Sequence, residues 1–253
     1  MSGWQVTGRS VVVIMAKQPA VGRTKTRLCP PLSPCEAAEL YKALLHDTIT
    51  LVSRLRRIRL AAAVTPPSAI DTMRSSLPDD AILVPVEGAD IGVCLSQATG
   101  HLFAAGFCRV IALNSDGPTL PAAYIARAHA LLEQSDVVLG PNADGGYYLV
   151  GLRRPCPELF CDIAWSTARV TAQTVDRAAA LGLSVALLPS WYDVDTAADL
   201  ERLRVELACL PSQTLACTRR FFARQQVHRR DDARRESPGH VDSAVLPLKE
   251  FDR

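Results

Sequence analysis

The sequence lacks the features of membrane, secreted and zinc-binding proteins. No apolar run reaches the roughly 20 residues that a membrane-spanning helix needs, and residues 1–10 hold no apolar signal core behind a basic start. None of the 8 cysteines forms a Cys-x-x-Cys pair or a tight cluster with histidine, which argues against a zinc site and a disulfide framework. We therefore expect a cytoplasmic protein with reduced thiols and no membrane partner.

The chain also has little net charge and no familiar phosphate-binding motif. Its 28 Lys and Arg nearly balance 26 Asp and Glu, for a formal net charge of +2, so we expect no nucleic-acid partner. The Gly-Lys-Ser/Thr ending of a Walker loop and the Gly-x-Gly-x-x-Gly dinucleotide fingerprint are both missing. What the chain does have is 48% hydrophobic residues, which is enough for a sizeable core.

Short apolar runs alternate with segments of helical periodicity along most of the chain. The apolar runs predict strands at residues 11–16, 60–64, 81–86, 110–113, 136–140, 147–151 and 185–189. The periodic segments predict helices at residues 33–55, 70–76, 91–105, 122–134, 167–181 and 196–207. This alternation predicts an α/β fold whose mixed, mostly parallel sheet carries helices on both faces.

The character of the sequence changes after residue 210, so we divide the chain into a domain at 1–210 and a tail at 211–253. Arginine is abundant in the tail, at Arg219, Arg220, Arg224, Arg229, Arg230, Arg234 and Arg235. This composition is typical of a solvated, partly disordered segment. The apolar pair Phe221-Phe222 keeps a second interpretation open, in which the tail docks on a partner, for instance in a homodimer.

The loop at residues 16–28 follows the first predicted strand and is rich in basic residues. Arg23, Lys25 and Arg27 alternate, so they would share one side of an extended loop. Positive charge at the edge of a sheet suits phosphate groups, although a solvated basic loop would have the same composition. The candidates for phosphate binding are Lys17, Gly22, Arg23, Lys25 and Arg27.

Three aspartates lie at the ends of predicted elements, where carboxylates can bind a metal ion. Asp116 follows the strand at 110–113, while Asp193 and Asp195 fall on one side of an extended segment before the last helix. Two of them also have a structural explanation, because Asp116 suits a turn and Asp195 suits a helix cap. Two or three carboxylates around Mg²⁺ would neutralise the charge that develops in phosphoryl transfer, so we expect all three as metal ligands.

An Asp-Gly-Gly turn joins two predicted strands at residues 144–146. It is compatible with a plain hairpin turn. In a functional interpretation, Asp144 binds a sugar hydroxyl or another polar group, and one of the adjacent Tyr147 and Tyr148 meets a substrate. The candidates for binding an acceptor or a sugar are Asp144, Gly145, Gly146 and Tyr147.

Taken in order, these elements resemble the GT-A-type nucleotide-diphospho-sugar transferases over about residues 11–207. The chain looks most like a bacterial glycosyltransferase or molybdenum-cofactor-guanylyltransferase-like group, and residues 24–28 are also similar to phospholactate guanylyltransferase. The stretches that carry the resemblance are Ala16-Lys17 to Leu28, Asn114-Ser115-Asp116-Gly117-Pro118, Asp144-Gly145-Gly146-Tyr147-Tyr148-Leu149-Val150-Gly151, Trp165-Ser166-Thr167 and Asp193-Val194-Asp195-Thr196.

The resemblance implies a Rossmann-like GT-A fold with a nucleotide over the carboxyl edge of its sheet. It also implies Mg²⁺, or Mn²⁺, held by Asp116 and Asp195, and phosphates on the basic loop. We expect Lys25, Asp116 and Asp144 to be the catalytic residues of a transferase. The expected partners are a nucleotide and a small-molecule acceptor.

Three functions remain open at this point. In the first, an NTP transfers its nucleotidyl group to a small phosphorylated or acidic acceptor, which four basic residues favour because they suit a triphosphate. The second is glycosyl transfer from an NDP-sugar, and the third is a non-catalytic nucleotide-binding module whose arginine-rich tail binds a partner.

Overall fold

The computed structural model describes residues 10–236, and for 228–236 only the helical backbone. Its strands are β1 (Ser10–Lys17), β2 (Ile58–Thr65), β3 (Ile82–Pro85), β4 (Arg109–Leu113), β5 (Val137–Pro141), β6 (Tyr147–Leu152) and β7 (Val185–Leu187). Its α-helices are α1 (Pro34–Ser53), α2 (Ile70–Arg74), α3 (Ile91–Ala104), α4 (Ala122–Leu131), α5 (Val170–Ala180), α6 (Ala197–Cys209) and α7 (Ala216–Glu236). Among these helices, none combines the length and apolarity that crossing a lipid bilayer demands.

The seven strands form one sheet in the order β3-β2-β1-β4-β6-β5-β7. All neighbouring pairs are parallel except those of β6, which runs antiparallel to both β4 and β5. The carboxyl ends of β1 and β4 are therefore adjacent at one edge of the sheet, and the turn between β5 and β6 lies at the same edge. This arrangement confirms the predicted mixed, mostly parallel sheet.

Helices cover both faces of the sheet, because alternate residues of each central strand enter different cores. In β1, Val12 and Ile14 face the core beneath α1, α2 and α4, whereas Val11 and Val13 face the core beneath α3 and α5. Burying apolar side chains on both faces is the dominant stabilising term of such a sheet.

A third apolar cluster lies beside the sheet and joins distant parts of the chain. It packs Leu28 of the basic loop against Val194, against Leu203 of α6 and against Phe222 of α7. The helix α7, which begins within the predicted tail, is therefore packed on the domain as far as the buried Gln225. The predicted division at residue 210 and the role of the tail stay predictions, and residues 237–253 lie outside the described part.

Capping boxes stabilise the starts of two helices. Ser33 and Glu36 form a capping box at α1, and Thr196 and Asp199 form another at α6. The main difference concerns α5, which begins at residue 170 instead of 167. Thr167 donates its hydroxyl to the carbonyl of Ala164 in the preceding turn and does not enter the helix.

Candidate active site

A buried lysine pairs with two carboxylates at the carboxyl edge of the sheet. Lys25 Nζ lies 2.6 Å from Asp195 Oδ1 and 3.1 Å from Asp116 Oδ2, and its side chain is only 6% exposed. Burial alone would lower the pKa of Lys25, but the charges of Asp116 and Asp195 outweigh it and hold that pKa well above its usual value. We call Lys25, Asp116 and Asp195 the charge cluster.

The topology brings the members of the charge cluster together from three separate segments. Asp116 stands three residues past the end of β4, and its carbonyl accepts the backbone N–H of Val194 at 3.0 Å. A methyl group in place of the Gly117 hydrogen would lie 3.1 Å from the Tyr192 carbonyl, so glycine permits this close approach. The alternative explanation of Asp195 as a helix cap does not hold, because Thr196 is the N-cap and the Asp195 carboxylate pairs with Lys25.

Asp193 lies next to the charge cluster, but its oxygens are used differently. Asn114 Nδ2 donates to Asp193 Oδ1 at 2.6 Å, and Asn142 Nδ2 donates to Oδ2. Burial and the charge of Asp116 raise the pKa of Asp193 well above its usual range. Asp193 thus joins the end of β4 to the end of β5, a link that sequence reasoning missed because nothing marks an asparagine as the partner of a distant aspartate.

A tyrosine of α1 connects the ends of β1 and β4 near the site through its hydroxyl group. The Tyr41 hydroxyl accepts the backbone N–H of Lys17 at 2.9 Å and lies 3.0 Å from the Ser115 hydroxyl. Burial, reinforced by the charge of Asp116, raises the pKa of Tyr41 to about 12. Tyr41 sits at helical spacing among leucines, so its sequence context indicates only a core position.

The basic loop is not extended, so the predicted sharing of one side by its basic residues is wrong. Lys25 has a left-handed backbone, with φ 53° and ψ 39°, and precedes a 3-10 helix at Thr26–Leu28. Its side chain consequently points inward, whereas Arg23 and Arg27 are exposed. Neither arginine forms an ion pair within residues 10–227.

The other two candidates of the basic loop lie at its start. Gly22 adopts φ +72° with open space around its α-carbon. Lys17 is exposed at the end of β1. Both residues, like Arg23 and Arg27, are exposed.

The Asp-Gly-Gly turn has a clear structural role. Asp144 is exposed, and its Oδ1 accepts the backbone N–H of Gly146 at 3.0 Å. Thr171 of α5 donates its backbone N–H to the carbonyl of Gly145 and its hydroxyl to that of Gly146. Within residues 10–227, Asp144 makes no contact with the charge cluster, although the turn stands at the same edge of the sheet.

Tyr147 contributes to the apolar core next to this turn. Its ring meets Trp165 edge to face, with centroids 6.2 Å apart, and its hydroxyl is buried. Burial raises the pKa of Tyr147 far above its usual value. Trp165 in turn lies directly on the α-carbon of Gly92 at the start of α3, so a side chain at position 92 would collide with the indole.

Replacing Gly145 by alanine should destabilise the protein by about 2 kcal/mol or more. The backbone has φ +90°, which costs an L-residue about 1–2 kcal/mol, and the added methyl would collide with the backbone of Ala168. Thermal unfolding should reveal a fall in Tm of roughly 4–8 °C. Gly100→Ala is the matched control, since open space surrounds this position in α3 and alanine favours the helix. Equal Tm values for Gly145→Ala and wild type would contradict the role of this turn.

Comparisons with known proteins identify relatives of this chain. A family model described as an uncharacterized protein conserved in bacteria (DUF2064) matches residues 48–167. The 2-phospho-L-lactate guanylyltransferase of Methanothermobacter thermautotrophicus is 31% identical over 182 residues, which cover 70% of this chain and 76% of that relative.

Solved structures also resemble this chain in sequence or in fold. A protein of Desulfovibrio desulfuricans G20, described as a nucleotide-diphospho-sugar transferase, matches with 30% identity and a TM-score of 0.78 over 86% of this chain and 96% of that one. A 4-diphosphocytidyl-2C-methyl-D-erythritol synthase matches with 11% identity and a TM-score of 0.56 over 80% of this chain and 100% of that one, a likeness of fold alone. The chain is therefore a transferase and belongs to the GT-A-type nucleotide-diphospho-sugar transferase superfamily, in the group related to 2-phospho-L-lactate guanylyltransferase.

Proposed function

We propose that the protein is a metal-dependent nucleotidyltransferase, which transfers the nucleotidyl group of an NTP to a small phosphorylated or acidic acceptor. The observation that carries the proposal is the charge cluster of Lys25, Asp116 and Asp195 beside an exposed basic loop. The guanylyltransferase relative supports the reaction class. We place the enzyme in the cytoplasm, where NTPs and divalent cations are available.

The carboxylates of the charge cluster fit a divalent cation such as Mg²⁺ or Mn²⁺. Within residues 10–227, no three His, Cys, Asp or Glu side chains are arranged to hold a metal ion by themselves. However, Asp116 Oδ1 is buried without a hydrogen-bond partner among those residues, which is an acceptor suited to a cation. We therefore assign Asp116 and Asp195 as the metal ligands, with water and phosphate oxygens supplying the remaining positions that hard cations require.

This assignment revises the expected role of Asp193. Both of its oxygens accept amide hydrogens from Asn114 and Asn142, so fewer of its lone pairs can face a cation. We assign Asp193 as a positioning residue, which orders the ends of β4 and β5 around Asp116. When bound, the metal ion supplies positive charge that stabilises the transferring phosphoryl group and the leaving pyrophosphate.

The residues of this chain bind and orient the substrates in the proposed reaction. Exposed Arg23 and Arg27, with Lys17, bind the triphosphate, and the permissive backbone of Gly22 allows it to come close. An oxygen of the acceptor's phosphate or carboxylate attacks the α-phosphorus in line, and pyrophosphate leaves with the electron pair of the broken P–O bond. These acceptor groups are ionised at neutral pH, so the step needs positioning and charge neutralisation but no general base.

The turn formed by Asp144, Gly145 and Gly146 is our candidate for contact with the acceptor or with a sugar. It stands at the same edge as Asp116, and the exposed Asp144 carboxylate keeps one oxygen for a hydroxyl group. Tyr147 supports this turn from the core, through its edge-to-face contact with Trp165.

Glycosyl transfer from an NDP-sugar is the second candidate function. It is favoured by the likeness to the D. desulfuricans protein described as a nucleotide-diphospho-sugar transferase. In that reaction the same carboxylates hold a cation on the leaving diphosphate, and Asp144 faces the sugar.

Product analysis separates the two candidates. The protein is incubated with each of the four NTPs, Mg²⁺ and a panel of phosphorylated hydroxy acids and sugar acids, and pyrophosphate is measured. We expect pyrophosphate release that depends on one NTP, on the acceptor and on the metal. A parallel series with NDP-sugars measures NDP release. NDP release without pyrophosphate from any NTP would overturn the proposal in favour of glycosyl transfer.

A further inference from the structure

We infer that Lys25 is a resident counter-ion, which occupies the cation position between Asp116 and Asp195 until a nucleotide triphosphate draws it away. On this inference, which rests on the proposed function, the protein binds a divalent metal ion tightly only together with a nucleotide. One lysine of the same chain thus prevents tight metal binding at the catalytic site until a nucleotide is bound.

The distances place Lys25 in direct competition with a metal ion for the two carboxylates. Lys25 Nζ lies 2.6 Å and 3.1 Å from one oxygen of each carboxylate, where it satisfies the negative charge that would attract a metal ion. Mg²⁺ requires carboxylate oxygens at about 2.0–2.1 Å and a nearly regular set of six ligands. An ammonium group paired with the same two carboxylates opposes that arrangement, because its positive charge repels a cation.

The backbone of Lys25 points to the same interpretation. A left-handed conformation is uncommon for a residue with a long side chain and costs free energy. It persists here because buried residues flank Lys25, namely Thr24, which accepts the backbone N–H of Ala20, and Leu28 in the third apolar cluster. Strain of this kind is retained where the surrounding structure enforces it, and it is common in segments that change during function.

The loop also offers Lys25 an alternative partner. Arg23 and Arg27, two residues before and two residues after Lys25 in the sequence, are exposed and attract anionic phosphates from solvent. A triphosphate bound there carries about four negative charges near neutral pH. It therefore competes with the two carboxylates for the Lys25 ammonium. Gly22, with φ +72° and open surroundings, allows the loop to adjust. Once Lys25 has turned to the phosphates, Asp116 and Asp195 are left with unbalanced negative charge.

Linkage converts this exchange into a measurable coupling. If nucleotide binding removes the lysine from the carboxylates, nucleotide raises metal affinity, and metal raises nucleotide affinity by the same factor. A variant without the ammonium should bind metal without waiting for nucleotide, so its coupling should be small.

The test measures Mn²⁺ binding by electron paramagnetic resonance and calorimetry, with and without GTP or CTP. For wild type we expect at least tenfold tighter Mn²⁺ binding when the accepted nucleotide is present, after correction for Mn²⁺ held by free nucleotide. Lys25→Met should bind Mn²⁺ at least tenfold more tightly than wild type in the absence of nucleotide. Lys42→Met, on the exposed face of α1, is the matched control and should behave like wild type.

The outcomes separate this inference from the proposed function. Wild type that binds Mn²⁺ as tightly without nucleotide as with it would overturn the counter-ion role while leaving the metal site intact. Equal nucleotide-free affinities of wild type and folded Lys25→Met would do the same. If Lys25→Met does not fold, Lys25→Gln, which also lacks the ammonium, is measured in its place. Absence of Mn²⁺ binding from wild type with every nucleotide would overturn the metal site and, with it, this inference.

Discussion

Asp116→Asn is expected to lower kcat/KM for pyrophosphate release by about 10²–10³-fold, the range found when one electrostatic contact to the transition state is lost. Asparagine keeps the size of the side chain but removes the charge and replaces one of the two carboxylate oxygens, of which Oδ1 is a buried acceptor, by an NH2 donor. Because Lys25 retains its ion pair with Asp195 at 2.6 Å, the fold should survive. Steady-state kinetics with saturating Mg²⁺, and thermal unfolding of the same sample, measure the two effects separately.

Asp80→Asn is the matched control for this substitution. Asp80 lies just before β3, at the opposite edge of the sheet, and is 75% exposed with a loose ion pair to Arg59 of 3.7 Å. Exposed pairs of this kind contribute little to stability, so the control should keep wild-type kinetics and a wild-type Tm. If Asp116→Asn retained more than a third of the wild-type kcat/KM, the assigned role of Asp116 would be wrong.

The largest effect on stability should come from Asp47→Ala. Asp47 is a buried carboxylate of α1, and it accepts the backbone N–H groups of Cys217 and Thr218 and the Thr218 hydroxyl at 3.1, 2.8 and 2.7 Å. Alanine would leave these donors buried without a partner at the start of α7. Hydrogen bonds to charged groups contribute about 1.5–3 kcal/mol, so a loss of about 3 kcal/mol is expected.

Such a loss corresponds to a fall in Tm of roughly 6–12 °C for a chain of this size. Hydrogen exchange should locate the damage, with protection lost first in α7 and retained in β1 and β4. Glu39→Gln, on the exposed side of the same helix, serves as the control. A Tm within 2 °C of wild type, with α7 still protected, would refute the docking role of Asp47.

The sequence predicted well those features that depend on neighbouring residues. The strand at residues 11–16 differs by one residue at each end from β1, because an unbroken apolar run has few alternatives to burial on both faces. Helix starts at Ser33 and Thr196 were equally accessible, since a capping box is completed within four residues. The approach of Asp116 to Asp195 followed from the parallel sheet, whose carboxyl ends meet at one edge.

Features that depend on side-chain direction were not accessible in the same way. Alternation of Arg23, Lys25 and Arg27 predicts a common side only for an extended backbone. The left-handed backbone at Lys25 turns its side chain inward instead. The two amides on Asp193 come from separate strands, so no local spacing marks them. Residues 237–253 lie outside the described part, and the predicted function of the arginine-rich tail remains a prediction.

Two long-range contacts, one in the site and one at α7, have a consequence for folding during synthesis of the chain. Lys25 meets Asp195 across 170 positions, and Asp47 meets Thr218 across 171. A nascent chain must therefore be synthesised past residue 195 before Lys25 can meet Asp195, and past residue 218 before Asp47 can meet Thr218. Contacts so distant in sequence slow folding, because closing the long loop between the two residues costs entropy before the contact stabilises the structure. Until then, the basic loop and α1 carry a lysine and an aspartate whose partners have not yet emerged from the ribosome.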